Sequence, residues 1–314
     1  MKNKTLITGV AGAIGSVFYK AFQKRFPAKS LLGVDNFKSG TLFNLVDFKG
    51  EFCDNDVSDV NFWASLDPDK IDAIYHFASN VDTCDYNSVE QFKNVNALKC
   101  ITSFCSINNI PLLWTSSASV YGNQTGKFKE DMDLYPESPY AISKMLAENV
   151  VRQYQEMFPE AKVITIRPFN VYCGEAEKHK GKMQSMPYQM LNTLTYSNKM
   201  ELFAYGEQCR DFIFVEDLVD LMLHAMYNSE KSEIFNGGTG TACSFNELFN
   251  IFKELMAQNA EIVYKPKKVK HFQTFTCADM TKVETLLNWK PKFDLKAGIV
   301  KMIEDFNCFL KHKG

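Results

Sequence analysis

A glycine-rich turn close to the N terminus constrains the fold of this chain more than any other feature. The turn reads Gly9-Val10-Ala11-Gly12-Ala13-Ile14-Gly15 and lies between the apolar run Leu6-Ile7 and a segment with helical spacing of apolar residues. Glycine accepts positive φ and lets a neighbouring backbone or a phosphate approach closely. A strand, such a turn and a helix in succession are typical of a βαβ unit whose helix N terminus binds a pyrophosphate. The pattern therefore predicts a parallel sheet that binds a dinucleotide.

Short apolar runs alternate with longer amphipathic stretches through the first half of the chain, as in proteins with parallel sheets. The predicted strands are 5–7, 31–34, 51–53, 73–77, 112–114 and 163–166. The predicted helices are 88–108 and 140–157, with others near 182–197, 216–229 and 244–257. The alternation loosens after Arg167. We therefore predict an α/β fold, with a Rossmann doubly wound parallel sheet over 1–168. A smaller C-terminal α/β substrate-binding domain is predicted over 169–314, and some of its segments are expected to return to the first domain.

The composition favours a small-molecule partner over a nucleic acid or a membrane. With 35 basic and 37 acidic residues among 314, the formal net charge is -2, which provides no overall field for a polyanion. The nine cysteines are scattered without a CxxC pair, which is typical of a reduced protein and predicts no metal site. The N-terminal segment lacks the long apolar run of a signal peptide or a membrane helix. We expect a cytoplasmic protein.

Residues at the ends of the predicted strands complete the dinucleotide site. Asp35 ends the second strand about 20 residues after Gly15, where a carboxylate accepts hydrogen bonds from the adenosine ribose. Asp56-Val57 and Phe77-Ala78-Ser79 follow the next two strands, whose carboxyl ends a dinucleotide would cross. The predicted contacts to NAD or NADP are Gly9, Gly12, Ala13, Ile14, Gly15, Asp35, Asn36, Lys38, Asp56, Val57, Phe77, Ala78, Ser79 and Asn94. His76 is either a core histidine or a residue that shapes this pocket. No GK[ST] follows the glycines, which excludes a nucleoside triphosphatase.

A serine, a tyrosine and a lysine predict acid-base chemistry. Ser117 follows the fifth predicted strand, and Tyr140-Ala141-Ile142-Ser143-Lys144 lies on a predicted helix. The tyrosine and the lysine are four residues apart, so both side chains lie on one face of that helix. A lysine ammonium beside a phenol favours the phenolate, and a tyrosine needs this help because its pKa is normally about 10. We predict Tyr140 as the general base and Lys144 as its support and a cofactor contact. Ser117 is predicted to bind the substrate oxygen.

With these motifs, the chain resembles the extended short-chain dehydrogenase/reductase family over nearly its whole length, and within it the nucleotide-sugar epimerases and dehydratases. The resemblance implies that Tyr140 takes the proton of a sugar hydroxyl while a nicotinamide takes the hydride. It also implies that Lys144 holds the tyrosine and the nicotinamide ribose. The segment 167–172 resembles the one that lines the sugar diphosphate, with Asn170 as the contact. The segment 210–217 resembles the RDFxxVxD signature, in which the arginine, here Arg210, binds the diphosphate.

Further residues separate the branches of this family. Sugar 4,6-dehydratases carry Thr-Asp-Glu where this chain has Ser117-Ala118-Ser119, which leaves epimerases and dehydrogenases. The stretches 34–41 with 44–47, 179–183 and 272–279 resemble the ADP-L-glycero-D-manno-heptose 6-epimerases of lipopolysaccharide biosynthesis. Their HKGxM segment implies Lys180 as a second acid or base, with His179 as a substrate contact. The alternative is that Lys180 only contacts a phosphate.

The sequence leaves the cofactor and the exact reaction open. The heptose enzymes favour NADP and carry lysines at the positions of Leu42 and Val60, whereas Asp35 would repel a 2′-phosphate and Lys38 would attract one. The rival functions are a nucleotide-hexose 4-epimerase, a nucleotide-sugar dehydrogenase and a non-catalytic sensor of NAD or NADP. Apolar positions in the helices 88–108 and 140–157 favour a homo-oligomer.

Overall fold

The computed structural model describes residues 4–82, 87–266 and 273–311. The strands in these residues are β1 (Lys4–Thr8), β2 (Ser30–Asp35), β3 (Glu51–Asp54), β4 (Ile71–His76), β5 (Leu112–Thr115), β6 (Val163–Pro168), β7 (Asn170–Tyr172), β8 (Lys199–Phe203), β9 (Cys209–Phe214), β10 (Glu233–Gly237), β11 (Ala242–Ser244) and β12 (Glu261–Lys265). The α-helices are α1 (Ala13–Arg25), α2 (Val60–Ser65), α3 (Ser88–Asn108), α4 (Pro139–Met157), α5 (Met186–Tyr196), α6 (Val215–Asn228), α7 (Phe245–Leu255), α8 (Thr281–Leu287) and α9 (Leu295–Lys311).

A seven-stranded sheet with the order β10-β6-β5-β4-β1-β2-β3 contains the strands of the N-terminal half. The pairings from β3 through β6 are parallel. The chain runs outward from β1 to β2 and β3, then returns to β4 on the other side of β1. This reversal opens a crevice at the carboxyl ends of β1 and β4, where doubly wound sheets bind their ligands. The predicted Rossmann fold is confirmed.

Apolar side chains stabilise this sheet. Leu6, Ile74, Leu112 and Trp114 are each 0% exposed, and they pack in one cluster with apolar residues of α3 and α4. Each such side chain contributes about 2 kcal/mol by its removal from water. The Trp114 indole donates from Nε1 to Thr165 Oγ1 on the neighbouring strand at 2.8 Å, so its one polar group is satisfied in the core. The short apolar runs in the sequence are therefore strands buried by helices.

The chain divides into two compact units. The first unit takes its residues from 1–122, 133–167 and 219–235, and the second from 123–132, 168–218 and 236–314. The sequence-based division fell between 168 and 169 and expected some later segments to return to the first domain. In the units, 219–235 is such a segment, while 123–132 joins the second unit.

The second unit contains two small sheets. One has the order β11-β9-β7, with β9 antiparallel to β11 and parallel to β7, and the other pairs β8 with β12 in parallel. The buried Asp211 carboxylate of β9 accepts hydrogen bonds from the amides of Thr239, Gly240 and Ala278, at 2.8 to 3.0 Å. Although burial raises the pKa of Asp211, these hydrogen bonds favour its charged form. The carboxylate thereby joins two backbone segments, 239–240 and the one at Ala278, to β9.

All six predicted strands are present, and most predicted helix boundaries agree with the structure to within two residues. The helix predicted near 182–197 differs, because α5 begins only at Met186. Ser185 caps α5 by accepting a hydrogen bond from the Tyr188 amide, and Pro187 occupies the first turn. The preceding residues Gly174–Met183 form a 3-10 helix interrupted at Gly181, which has φ 54° and ψ −120°.

Within the described ranges, no helix combines the length and the apolar character needed to cross a membrane. The same part of the chain holds no group of three His, Cys, Asp or Glu side chains suited to binding a metal ion.

Candidate active site and cofactor crevice

The glycine turn lies at the crevice between β1 and β4 and requires its glycines. Gly9 has φ +68°, and a Cβ atom there would lie 2.5 Å from the Ala78 amide nitrogen. A Cβ on Gly15 would lie 2.1 Å from the Gly9 carbonyl oxygen. Gly12 begins α1 without any side-chain cap, so the first amides of the helix have no intrahelical acceptor and face the turn. This backbone fits a pyrophosphate, as a dinucleotide cofactor requires.

Asp35 lies at the end of β2, where the sequence places the adenosine ribose. Its Oδ2 accepts from the Ala11 amide and its Oδ1 from the Phe37 amide, each at 2.9 Å. The carboxylate therefore fixes the glycine turn itself. A carboxylate is an acceptor-only group, which is the chemistry that ribose hydroxyls would require at this position.

The residues after Asp35 determine whether the 2′-phosphate of NADP would find a positively charged partner. Asn36 Oδ1 accepts from the Lys38 amide at 3.1 Å, and the Lys38 ammonium bonds to the Glu90 carboxylate of α3. Leu42 and Val60, the positions at which the resemblance implies lysines, are apolar and exposed at 69% and 64%. Lys38 is the cation that the sequence predicts as a contact of the 2′-phosphate. In the described structure its ammonium is already paired with the Glu90 carboxylate.

Asp56 and Val57 follow β3 and form a local turn. Asp56 Oδ1 accepts from the amide and the hydroxyl of Ser58, at 2.9 and 2.7 Å. Burial raises the pKa of Asp56, but these hydrogen bonds and the charges of Lys93 and Lys38 together bring it below its usual value. The Val57 carbonyl accepts from Trp63 Nε1 at 2.9 Å. Asp56 is therefore held as a carboxylate at the edge of the crevice.

Phe77, Ala78 and Ser79 follow β4 and lie against β1 and α3. The Phe77 amide donates to the Thr8 carbonyl at 3.0 Å. The Ser79 hydroxyl donates to Asn94 Oδ1 at 3.0 Å, and Asn94 Nδ2 donates to Ser143 Oγ of α4 at 3.1 Å. The buried Asn94 carboxamide thus connects the end of β4 to the helix that carries Tyr140.

His76 is a core histidine in this structure. Its Nδ1 lies 2.7 Å from Thr8 Oγ1, its partner across the β1–β4 pairing, and the residue is 2% exposed. Burial and, to a smaller extent, the nearby Lys144 charge lower the pKa of His76 to about 3, so the imidazole is neutral. Of the two interpretations that the sequence left open, the hydrogen bond favours a structural role at the wall of the crevice.

Helix α4 brings Tyr140 and Lys144 together in its first turns. Pro139 occupies the first turn, and the Ser138 cap accepts from the Ala141 amide at 3.2 Å, which fixes where the helix begins. Tyr140 is 8% exposed and Lys144 is 3% exposed. The Lys144 Nζ lies 5.9 Å from the centre of the Tyr140 ring and donates to the Thr115 carbonyl at 2.9 Å. Ser117 follows β5, and its side chain accepts from the Ser119 amide as the cap of the 3-10 helix Ala118–Tyr121.

Burial dominates the protonation of this pair. It raises the pKa of Tyr140 above its usual value, and the nearby Ser117 side chain offsets part of that rise. Burial also lowers the pKa of Lys144 to about 7, against the attraction of Glu148. The support that Lys144 is expected to give the phenolate, together with the nicotinamide ring, stays a prediction. The ammonium is desolvated and directed at the Thr115 carbonyl, so it is only a partial cation at neutral pH.

A buried ion pair, which the sequence analysis missed, lies behind Lys144. Glu148, one turn further along α4, accepts from Arg167 and from the Ser116 hydroxyl, the latter at 2.5 Å. Arg167 also donates from Nη1 to the Tyr121 hydroxyl at 2.9 Å. Arg167 belongs to the segment that the resemblance assigned to the sugar diphosphate, yet its guanidinium is used inside the first unit. The i, i+4 spacing of Lys144 and Glu148 is the sequence pattern that could have indicated a buried charged cluster here.

The predicted substrate residues lie in the second unit. Asn170 Oδ1 accepts from the Thr276 hydroxyl at 3.3 Å. Arg210 donates from Nη1 to the Cys209 carbonyl at 2.8 Å, and its guanidinium lies 5.8 Å from the centre of the Phe245 ring. Burial lowers the pKa of Arg210 to about 10. A desolvated guanidinium bonded to one carbonyl suits the binding of an anion such as a diphosphate.

His179 and Lys180 lie in the 3-10 helix Gly174–Met183, whose two ends are joined by Glu177. This glutamate is 0% exposed and accepts from the Cys173 amide at 2.8 Å, the Ser185 amide at 2.6 Å and the Ser185 hydroxyl at 2.7 Å. No motif in the sequence pointed to Glu177. Of the stretch 272–279 in the resemblance, Phe272 lies outside the described residues.

Three comparisons relate this chain to known proteins. The model of the NAD dependent epimerase/dehydratase family matches residues 5–238. An ADP-L-glycero-D-manno-heptose-6-epimerase of Brachyspira hyodysenteriae is 32% identical over 309 residues, which cover 95% of this chain and 96% of the relative. The crystal structure of the Helicobacter pylori ADP-L-glycero-D-manno-heptose-6-epimerase matches with a TM-score of 0.88 at 29% identity, over 98% of this chain and 96% of that chain. The Thermotoga maritima UDP-glucose 4-epimerase matches with a TM-score of 0.90 at 25% identity, over 98% and 99%. The chain therefore belongs to the NAD dependent epimerase/dehydratase family.

Proposed function

We propose that the chain is a nucleotide-sugar epimerase that acts by transient oxidation, and that it inverts C6 of an ADP-glycero-manno-heptose. The observation that carries the chemistry is the placement of Tyr140 and Lys144, both buried on α4, with the Lys144 Nζ 5.9 Å from the centre of the Tyr140 ring. The heptose substrate is supported by the 32% identity to a heptose 6-epimerase over nearly the whole of both chains. The product would be a precursor for the heptose of lipopolysaccharide, made in the cytoplasm.

In the first half-reaction, Tyr140 as phenolate takes the proton of the C6 hydroxyl, and the C6 carbon becomes a ketone. When bound, the oxidised cofactor accepts the C6 hydride, returns it afterwards, and favours the phenolate by the positive charge of its ring. Ser117 donates a hydrogen bond to the oxygen at which charge develops. Lys144 donates to the Thr115 carbonyl at 2.9 Å, and it is proposed to support the phenol and to bind a ribose hydroxyl of the cofactor. The glycine turn, Asp35 and Asn94 would hold the cofactor.

Inversion requires the hydride to return to the opposite face of C6, so the ketone must turn within the site. One fixed acid serves both orientations poorly, because proton transfer needs a short and aligned contact. Lys180 is proposed as the second acid or base, in the segment whose ends Glu177 fixes. Asn170, His179 and Arg210 are proposed as the contacts that hold the sugar and the diphosphate.

A nucleotide-hexose 4-epimerase is the alternative that one observation favours. The TM-score with the Thermotoga maritima UDP-glucose 4-epimerase is 0.90, so the backbone suits either sugar. A one-way dehydrogenase would consume cofactor stoichiometrically, whereas an epimerase shows no net turnover of it. A non-catalytic sensor is disfavoured, because Tyr140 and Lys144 are both present and buried.

The test is to incubate the purified protein with ADP-D-glycero-D-manno-heptose and, separately, with UDP-galactose, and to identify each product by NMR. We expect inversion at C6 of the heptose, no net change in cofactor, and no reaction of UDP-galactose. Tyr140→Phe serves as the inactive control. Conversion of UDP-galactose alone would replace the heptose assignment, and stoichiometric cofactor reduction would replace the epimerase assignment.

We further propose a homo-oligomer formed through α3 and α4. Val89 and Phe92 of α3 are 72% and 48% exposed, and Ile142 of α4 is 40% exposed. Helix faces that expose large apolar side chains favour association. Light scattering of the protein as it elutes from a size-exclusion column measures the molecular mass of the particle. A molecular mass equal to that of one chain would contradict the proposal.

A further inference from the structure

Lys144 and Glu148 lie one turn apart on α4, yet the lysine does not bind the glutamate. A lysine and a glutamate at this spacing on a helix can form an ion pair. Within the part of the chain that the structure describes, the two side chains form no such pair. The Lys144 Nζ instead donates to the Thr115 carbonyl at 2.9 Å and lies 5.9 Å from the centre of the Tyr140 ring. The groups that bind Glu148 explain this choice.

The Glu148 carboxylate is bound by Arg167 and Ser116. Its Oε1 accepts from Arg167 Nε at 2.9 Å and from Ser116 Oγ at 2.5 Å, and its Oε2 accepts from Arg167 Nη2 at 2.7 Å. An ionised carboxylate has roughly four acceptor positions, most of which these donors use. All three residues are buried, and the two bonds from one guanidinium are of the strong, charge-assisted kind. The charge of Glu148 is therefore balanced without Lys144.

The sheet fixes the place of Arg167. Thr115 at the end of β5 pairs with Ile166 of β6, and the Ser116 amide donates to the Ile166 carbonyl at 2.7 Å. Arg167 is the next residue of β6, and its Nη1 donates to the Tyr121 hydroxyl at 2.9 Å. The guanidinium is thus held beside the same strand end that presents the Thr115 carbonyl to α4.

We propose that Arg167 is a positioning residue, which by binding Glu148 leaves the Lys144 ammonium to the Thr115 carbonyl and to the crevice beside Tyr140. The inference rests on the proposed function, in which Lys144 supports Tyr140 and binds the cofactor ribose. Without the guanidinium, Lys144 is the cation one turn away from a buried carboxylate. Because Lys144 follows Tyr140 and precedes Glu148 on α4, an ion pair with Glu148 would move the ammonium away from the phenol.

The other groups around Lys144 offer it no charged partner among the described residues of the first unit. On β4, His76 has a pKa of about 3 and is neutral. On β5, the Trp114 ring centre lies 5.8 Å from Nζ. On α3, Asn94 is uncharged and bonds to α4. Glu148 is the carboxylate whose charge acts on Lys144. Removing Arg167 therefore leaves one competitor for the ammonium.

The experiment follows the ionisation of Lys144 by NMR of protein that is isotope-labelled at lysine Cε. The signal that disappears in Lys144→Met belongs to this residue. We expect a midpoint near pH 7 in wild type. In Arg167→Met the midpoint should rise by about 1 to 3 pH units, the effect of a carboxylate in contact with the ammonium. The double variant Arg167→Met/Glu148→Gln also removes the competitor and should return the midpoint to the wild-type value or below.

Turnover should follow the same pattern. Arg167→Met should lower kcat about tenfold, the value of one hydrogen bond, and the double variant should recover most of that loss. KM for the sugar nucleotide should change little, because Lys144 is proposed to act on Tyr140 and the cofactor. Arg152→Met is the matched control, since Arg152 is an exposed arginine of α4 that donates to Asn149 Oδ1. It should change neither the midpoint nor kcat.

An unchanged midpoint in Arg167→Met would overturn the proposal. A rise that persists in the double variant would also overturn it, because the field of the guanidinium would then act without any competition for Glu148. If Arg167→Met does not fold, Arg167→Lys replaces it. An ammonium lacks the planar fork of the guanidinium, so a smaller rise is expected, and no rise would again overturn the proposal. If the protein converts neither sugar nucleotide, the proposed function fails, while the midpoint still decides whether Arg167 positions Lys144.

Discussion

Arg167 donates two hydrogen bonds to the buried Glu148 carboxylate, from Nε to Oε1 at 2.9 Å and from Nη2 to Oε2 at 2.7 Å. Burial by itself lowers the pKa of Arg167, but this pairing raises it above its usual value, so the guanidinium is fully charged. Glu148 is consequently neutralised by a residue of β6 rather than by Lys144, one turn before it on α4. Lys144 donates to a neutral carbonyl instead, which is why burial can lower its pKa to about 7.

The lowered pKa of Lys144 predicts a dependence of stability on pH. In the unfolded chain a lysine binds a proton up to about pH 10.4, whereas in the folded chain Lys144 releases it near pH 7. Between these values the unfolded state binds more protons, so the folded state gains stability as the pH rises and loses it as the pH falls. We expect Lys144→Met to be more stable than wild type at neutral pH, by on the order of a few kcal/mol.

Denaturant unfolding of wild type and Lys144→Met across this pH range measures the difference. The difference in the free energy of unfolding between Lys144→Met and wild type should increase as the pH falls from about 10 to about 7 and then stay constant. Lys93→Met, at an exposed position of α3, should show no such trend. A gap that does not vary with pH would contradict the lowered pKa.

Tyr140→Phe should bind the cofactor as wild type does and lose nearly all turnover. The substitution removes the phenolic oxygen that moves the proton but keeps the ring in its buried place on α4. A loss of about 100-fold or more in kcat is expected for a general acid-base residue. Calorimetric titration with cofactor and steady-state kinetics measure the two quantities. Tyr196→Phe, 72% exposed on α5, is the control, and unchanged turnover in Tyr140→Phe would refute the assignment.

Lys180→Ala should lower turnover of the heptose substrate more than it weakens substrate binding. A second acid or base acts only in the transition state, so its loss lowers kcat and leaves KM nearly unchanged. We expect a loss of about 10- to 100-fold in kcat. Lys182→Ala, two residues away and exposed, is the matched control. If KM rises while kcat is kept, Lys180 is a phosphate contact instead.

The wild-type protein should bind NAD more tightly than NADP. A 2′-phosphate would lie near the Asp35 carboxylate, while Lys38 is engaged by Glu90. Glu90→Lys releases Lys38 and adds a positive charge, so affinity for NADP should rise about tenfold and that for NAD should change little. Calorimetry at low and high salt measures both, with Glu156→Lys as the control at an exposed position of α4. A wild type that prefers NADP would show that Lys38 remains available to the phosphate.

No deuterium should enter C6 of the product when the reaction reaches equilibrium in deuterium oxide. In direct oxidation, Tyr140 or Lys180 removes only the hydroxyl proton, and the carbon-bound hydrogen leaves and returns without meeting water. A carbanion mechanism would exchange that hydrogen with solvent. NMR of the isolated product decides between the two paths, and substantial label at C6 would exclude direct oxidation even for a true epimerase.

Local patterns in the sequence determined the fold class and most of the catalytic candidates. The glycine turn, the Asp35 that follows it and the Tyr140–Lys144 spacing each depend on short stretches of chain, because turn geometry and helical periodicity are local properties. The alternation of apolar runs predicted the strands for the same reason. The start of α5 was misplaced because Ser185 and Pro187 act as start signals only when the kink at Gly181 ends the preceding helix.

The tertiary structure alone decided which of these groups are charged and what holds them. Glu148 meets Arg167, Lys144 meets the Thr115 carbonyl, and Lys38 meets Glu90 across 52 residues of sequence, and none of these pairings follows from spacing. The sequence predicted that Lys144 and a nicotinamide ring together favour the phenolate of Tyr140, which stays a prediction. It did not predict that burial raises the pKa of Tyr140 and lowers that of Lys144, because desolvation depends on everything packed around a group and not on its neighbours in the chain.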